Sequence, residues 1–252
     1  MPDLPPGVDV LWGRREPAKR GPRPNLSIEQ IVDAAIEIAS AEGLGPLSMN
    51  RVAEKLGKSA MSLYRYVRNK DELLQLMTDV SALKAQPPEP DDELGWRPNL
   101  ESWAYALVGV YRSYPWVLHV PIGPTPPIGP GQLSWLDRAL ACLRQTHLPA
   151  DVQVGVVMLL LTFVRGQVRM TQEVNQGAAA IAAGYPSYAE MLRMVVDKDH
   201  LPALAALVDE GVFDDPMEGI SDREFDLEVR FGLTMIFDGI DRLVTAYEEG
   251  TP

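Results

Sequence analysis

The chain has 252 residues, enough for one large domain or a small one joined to a larger one, and two unequal domains are expected. Its net charge of −12 is uneven: residues 1–70 carry 11 Lys and Arg against 8 Asp and Glu, whereas residues 71–252 carry 12 against 27. The single cysteine, Cys142, excludes an internal disulfide and a Cys-rich zinc site. No run approaches the roughly 18 uncharged apolar residues of a membrane span, and the richest stretch, 152–164, reads as a buried helix. No apolar stretch behind a basic start marks a secretory signal, so a cytoplasmic protein without a membrane partner is expected. A basic head on an acidic body lets one end approach phosphates while the rest is repelled.

Residues 13–24, GRREPAKRGPRP, cannot bury a core, and residues 1–24 are expected to form a flexible basic arm, either a solvated tail or a DNA contact. Ser27 and Gln30 form a capping box, and Ile28, Ile31, Val32, Ala35, Ile36 and Ala39 recur at helical spacing up to Gly43. Ser48 starts a second helix, with Val52, Ala53 and Leu56 facing inward, and Gly57 closes it in the left-handed region. Ser59 is expected to cap a third helix running to about Tyr66. Helix, glycine turn and short helix is the helix-turn-helix arrangement. Asn69 and Glu72 open a fourth helix carrying Leu73, Leu74, Leu76, Met77 and Val80.

Residues 86–99, QPPEPDDELGWRPN, read as a linker. Beyond it the periodic segments are all helical, at about 99–113, 131–147, 150–176, 187–197, 200–210 and 221–249. A proline and glycine loop is expected at 121–130, and a second flexible stretch at 177–186. The fold class is therefore all-α: an N-terminal three-helix helix-turn-helix domain over residues 25–80, then a larger helical domain over residues 81–252.

The segment 44–70, LGPLSMNRVAEKLGKSAMSLYRYVRNK, carries the specific signal. Leu47, Val52, Ala53, Leu56, Gly57, Ser62, Leu63, Tyr64, Tyr66, Val67, Asn69, Lys70, Asp71, Glu72, Leu73 and Leu74 follow a pattern that resembles the TetR (tetracycline repressor) family of transcriptional regulators. The match covers residues 27–80. It departs from the family at Lys58, where a valine is usual, and at Val67, where a phenylalanine is usual.

The reading surface is expected on the face of the third helix turned away from Leu56 and Leu63, together with its N-terminus, which such motifs lay in the major groove. That selects Ser59, Ala60, Met61, Ser62, Tyr64 and Arg65, and Lys58 before them adds a charge that can reach phosphate. Ala60 and Met61 suit thymine methyls, and Arg65 suits guanine or phosphate. The resemblance implies DNA contacts from Ser62, Tyr64 and Tyr66, and a phosphate contact from Lys70 at the fourth helix's N-terminus. Tyr66 serves either DNA contact or half-buried packing.

Residues 96–116 and 225–244 resemble the tetracycline-repressor subclass of C-terminal domain, which implies a homodimer built on two helices from each subunit. Val154, Val157, Leu161, Met235, Ile236 and Ile240 are the interface candidates, because a helix apolar most of the way round needs partners on more than one side. The resemblance also implies a small-molecule effector between helices of this domain, with Trp103, Leu107, Met158, Thr162, Phe163 and Arg165 as lining candidates or, failing that, ordinary core. No cofactor, metal or catalytic site is expected: His119, His147 and His200 lack histidine partners at ligand spacing, and no glycine loop cradles a phosphate. The expected function is a ligand-responsive repressor that binds a palindromic operator in double-stranded DNA. A body that serves only as a structural or protein-interaction module is the alternative.

Overall fold

The computed structural model describes residues 8–12, 26–121, 127–181, 186–214 and 220–250, and the regular structure among them is helical. The chain divides into two compact units, one of residues 1–165 and 236–252, the other of residues 166–235.

In the first unit, α1 (Val8–Leu11) is a short helix inside the segment expected to be a flexible arm. Val8 and Val10 are buried, and the indole N–H of Trp12 donates to the Ile128 carbonyl at 2.8 Å. The arginines and lysine at 14–23 lie outside the described residues.

Helix α2 (Ile28–Glu42) starts where Ser27 and Gln30 exchange hydrogen bonds. Gln30 N–H donates to Ser27 Oγ at 3.2 Å, and Ser27 N–H donates to Gln30 Oε1 at 2.9 Å. Its apolar residues then fall on one face, with Ile31, Val32 and Ala35 fully enclosed, and Gly43 ends it at φ +76°. Helix α3 (Met49–Lys55) is capped by Ser48 and closed by Gly57 at φ +62°, which frees the chain to turn sharply into α4 (Ala60–Leu63). Helix α5 (Lys70–Ala85) is capped by Asn69, whose Oδ1 accepts the Glu72 N–H at 2.8 Å.

The α5 helix packs against α2 and also against α7 (Pro130–Cys142), which explains why Leu73, Leu74, Leu76, Met77, Asp79 and Ser81 are all buried. A helix with neighbours on more than one side hides more of its surface than an amphipathic stripe requires.

Helix α6 (Trp96–Ser113) begins inside the segment read as a linker. Pro98 is accommodated because it falls in the first turn, where an N–H has no intrahelical partner anyway. A 3-10 turn over Pro115–His119, with no counterpart in the sequence reading, buries Trp116, Val117 and Leu118. Helix α7 stops at Cys142, short of the predicted 147, and turns follow. Arg97 ties α6 to the end of α11 (Asp222–Glu248): it donates to Asp238 Oδ1 at 2.8 Å, to Asp241 and to Glu101, and its guanidinium lies 5.9 Å from the Phe237 ring centroid.

Helix α8 (Ala150–Ile181) has 32 residues and starts in the first unit. Its stretch Ala150–Gly177 is long and apolar enough, by length and composition, to cross a membrane, contrary to the expectation from the sequence. In the fold, Val156, Val157, Leu160 and Val164 are core side chains, and Arg165 donates to the Leu118 carbonyl at 3.0 Å. Only 28% of its most apolar window is buried, so this is not the buried helix expected.

The second unit holds the end of α8, α9 (Tyr188–Val195), α10 (Pro202–Asp209) and the start of α11. Ser187 and Glu190 form a capping box on α9, Tyr188 meets the Phe213 ring edge-on at 5.9 Å, and Lys198 pairs with Asp209 at 2.7 Å.

Candidate nucleic-acid interface

The short helix α4 is held from behind and bare in front. Leu63 and Val67 are fully buried, and the Tyr66 and Val67 N–H groups both donate to the Leu63 carbonyl, at 2.9 and 3.0 Å, which tightens the end of the helix. Val67 therefore packs where the family's larger residue would. The outward side carries Lys58, Ser59, Met61, Tyr64 and Arg65, all exposed, with Ala60, Ser62 and Tyr66 half-exposed. Met61 is 77% exposed and Tyr64 47%, a large apolar and aromatic area presented to solvent by a four-residue helix and the residue that closes it. Such a surface is not explained by packing.

One expectation fails in detail. Ser59 makes no side-chain capping bond; instead Ser62 Oγ donates to the Ser59 carbonyl at 2.5 Å. The first N–H groups of α4 are thus left without a side-chain cap beside an exposed Ser59, available to a phosphate or base edge.

The cations of this region fall into two groups. Arg51 pairs with Glu42 at 2.9 Å and Glu54 at 3.2 Å, Lys55 with Glu37 at 2.9 Å, and Lys84 with Asp33 at 2.7 Å. These acids hold the Arg51 guanidinium above its ordinary range. By contrast, no acid among the described residues lies at ion-pair distance from Lys58, Arg65, Arg68 or Lys70. Lys70 Nζ reaches only the Leu44 carbonyl, at 3.4 Å. The unneutralised cations are those that flank α4.

Arg68 belongs to this set, although the motif did not single it out. It is exposed, and its backbone N–H is accepted by the buried carboxylate of Glu72. Its place, one residue before the Asn69 cap, is the signal that would have found it.

The body's candidate residues separate by burial. Trp103 and Leu107 lie buried on one stripe of α6 with Tyr111, and the Trp103 indole N–H donates to the Trp135 carbonyl at 2.9 Å. Burial pushes the Tyr111 hydroxyl above its ordinary range, opposed by the Arg165 guanidinium beside it. Arg165 and Phe163 are half-buried. Met158 and Thr162 are exposed and so do not share that stripe.

Among the interface candidates, Val154 and Met235 are exposed and Leu161 and Ile236 half-buried. Val157 and Ile240 are core side chains of the single chain, because their turn of the helix faces its own unit. Other large apolar side chains stand exposed on the same helices: Met158, Leu159 and Met170 on α8, and Leu227 and Phe231 on α11. Among the described residues no cluster of His, Cys, Asp or Glu gathers as metal ligands would.

Residues 31–77 match the family described as "Bacterial regulatory proteins, tetR family", and residues 88–244 match "Tetracyclin repressor-like, C-terminal domain". The chain is 33% identical over 246 residues to the HTH-type transcriptional repressor DrrR1 of Streptomyces coeruleorubidus, covering 96% of this chain and 87% of that one. It is 27% identical over 158 residues to the tetracycline repressor protein class E of Escherichia coli, covering 60% of this chain and 71% of the repressor. Among solved structures it is similar to the Streptomyces coelicolor TetR family protein ActR in complex with actinorhodin, with a TM-score of 0.68 and 27% identity over 86% of this chain and 96% of ActR. The outward face of α4 and the helical body behind it thus have a single explanation: this chain belongs to the TetR family of DNA-binding transcriptional regulators, and is not an enzyme.

Proposed function

We propose that the chain is a repressor that grips a near-palindromic operator as a homodimer and lets go when a small molecule binds its helical body. The observation that carries the DNA contact is the charge pattern of the head. In an acidic chain, Lys58, Arg65, Arg68 and Lys70 remain unneutralised around α4, while Arg51, Lys55 and Lys84 of the same head are paired. Met61, Ser62, Tyr64 and Arg65 face base edges in this reading, and Lys58, Tyr66, Arg68 and Lys70 face the phosphates.

One α4 reads too few base pairs, and two of them about one helical turn apart, roughly 34–36 Å, read a palindrome. The exposed apolar side chains of α8 and α11 supply surface for the pairing, with Val154, Met158 and Leu159 on the first and Phe231 and Met235 on the second. Residues 25–80 form the head and residues 81–252 the sensing and pairing body, working in the cytoplasm where the DNA is. The effector sits against Trp103, Leu107, Phe163 and Arg165, supported by the similarity to ActR, whose structure holds actinorhodin. It acts by binding more tightly to the conformer whose heads are misplaced for DNA.

Fluorescence anisotropy on a labelled fragment of the DNA upstream of this chain's own reading frame tests the reading. Contacts to some 6 to 10 phosphates predict an affinity loss of about 10³ to 10⁵ between 50 and 200 mM salt. Tyr64→Ala combined with Lys70→Ala should abolish that steep binding. Wild type binding no better than the double variant, on this fragment and on genomic pools, refutes the DNA contact.

A further inference from the structure

The joint between α5 and α7 is built from two bonds that α7 donates and α5 accepts. Asp79, only 1% exposed, turns its carboxylate onto the first turn of α7, where Gln132 N–H donates to Oδ1 at 3.0 Å and Gly131 N–H is a second donor. An anion at a helix N-terminus meets both unpaired N–H groups and the positive end of the helix dipole. Three residues further along each helix α7 donates again, this time from a side chain to the backbone, with the Trp135 indole N–H donating to the Ala82 carbonyl at 3.1 Å. Equal spacing on both helices, 79 to 82 and 132 to 135, means that neither can slide or roll along the other without losing a bond.

The same joint accounts for two glycines. A Cβ at Gly129 would overlap the Asp79 carboxyl group, and one at Gly131 would overlap the Asp79 carbonyl oxygen and come within 2.9 Å of Leu83 N and Cγ. The sequence GPG at 129–131 thus lets α7 come up against α5 with its N–H groups exposed to the carboxylate.

Helix α5 begins at Lys70, directly after the reading segment, so its orientation sets that of α4. We propose that Asp79 and Trp135 are positioning residues for DNA recognition: together they lock α5 against α7 and so fix where the reading helix of each head stands. This rests on the reading above, that two paired heads grip two half-sites. Neither residue touches DNA. Each acts through α5, so their loss should relax the distance between the heads and leave the base contacts of each head intact.

The test is selection of bound sites from a random DNA pool by the full chain, followed by affinities for the selected half-sites at the native spacing and one base pair wider. Wild type should enrich two copies of one half-site at a single spacing and prefer it about tenfold or more, on the order of the cost of a mismatched base pair. Asp79→Ala, shown to be folded by circular dichroism, should enrich the same half-site while its preference falls below about threefold. Asp79→Asn, which keeps an acceptor oxygen for Gln132 N–H, should retain the preference. Trp135→Phe keeps an aromatic ring but lacks the indole donor, and it should lower the preference at least about threefold even if Asp79→Ala does not fold. An unchanged spacing preference in folded Asp79→Ala or in Trp135→Phe, whatever happens to thermal stability, overturns the proposal. A wild type that enriches no paired half-sites defeats the repressor reading itself, and it does so before any variant is compared.

Discussion

Gly131→Ala and Gly109→Ala are chemically the same substitution on two helices, and the structure gives them opposite signs. At Gly109, on the exposed side of α6, an added Cβ meets nothing within 4 Å, so only the helix preference for alanine acts, a gain of roughly 0.5–1 kcal/mol. At Gly131 the same methyl runs into the Asp79 carbonyl oxygen and into Leu83 N, both backbone atoms of a packed helix that cannot rotate away. Relief requires α7 to back away from α5, which stretches the Gln132 to Asp79 and Trp135 to Ala82 bonds together. Overpacking of this kind costs about 1–3 kcal/mol, and the strained hydrogen bonds add to it. For a domain of 150–250 residues each kcal/mol moves Tm by roughly 2–4 °C, so Gly131→Ala should melt lower by several degrees and Gly109→Ala slightly higher. Thermal unfolding followed by circular dichroism at fixed protein concentration measures both. If Gly131→Ala matches or exceeds the wild-type Tm, the close approach of α7 to α5 is wrong and the joint described above does not exist.

Met61→Ala should leave stability within about 0.5 kcal/mol because the side chain is exposed, while changing which base is preferred under it, as site selection would show. Met158→Glu and Phe231→Glu place charges on exposed apolar helix faces and should yield monomers by light scattering if those faces pair two chains; unchanged dimers would move the interface elsewhere. Burial pushes the Cys142 thiol up to about 11, so at pH 8 the thiolate fraction is on the order of 10⁻³ and alkylation of the native protein should be far slower than after denaturation. Burial also raises the Asp79 carboxyl above its ordinary range, so ionising it costs more in the folded than in the unfolded chain, and its contribution to stability declines as pH rises from about 4 through the raised value. Urea unfolding of wild type and Asp79→Asn at several pH values should therefore favour the variant progressively with rising pH, and parallel curves would refute this.

What could be read from the sequence was what depends on near neighbours. Ser27 with Gln30 and Asn69 with Glu72 are pairs three residues apart, Ser48 is a lone capping residue, and each makes the cap expected of it. The inward set Ile31, Val32, Val52 and Ala53 follows from periodicity, while Leu63 and the outward set on α4, which is too short for a period, come from the family resemblance. Ser59 failed because capping depends on the rotamer the tertiary setting allows, and Ser62 took its carbonyl instead. The 3-10 turn at 115–119 is too short for a period to appear, and its burial comes from its neighbours in space. An aspartate at position 79 reads as an ordinary polar residue of a helix, because its partners are more than 50 residues away. Exposure on α8 was likewise illegible: Val157 and Met158 are adjacent and both apolar, yet one is core and the other faces outward.

The tie from Arg97 to Asp238 and Asp241 has a consequence for how the chain is made. The first unit is discontinuous, since it includes residues 236–252, which leave the ribosome after the whole of the second unit. The head, whose contacts are local, can form early in synthesis, at a rate set by short loops. The Trp96 ring waits for Phe237, about 140 residues of translation later, or roughly 7 to 28 seconds at 5–20 residues per second. Until then Trp96 lacks that partner, and apolar surface left open during synthesis is where misassembly begins.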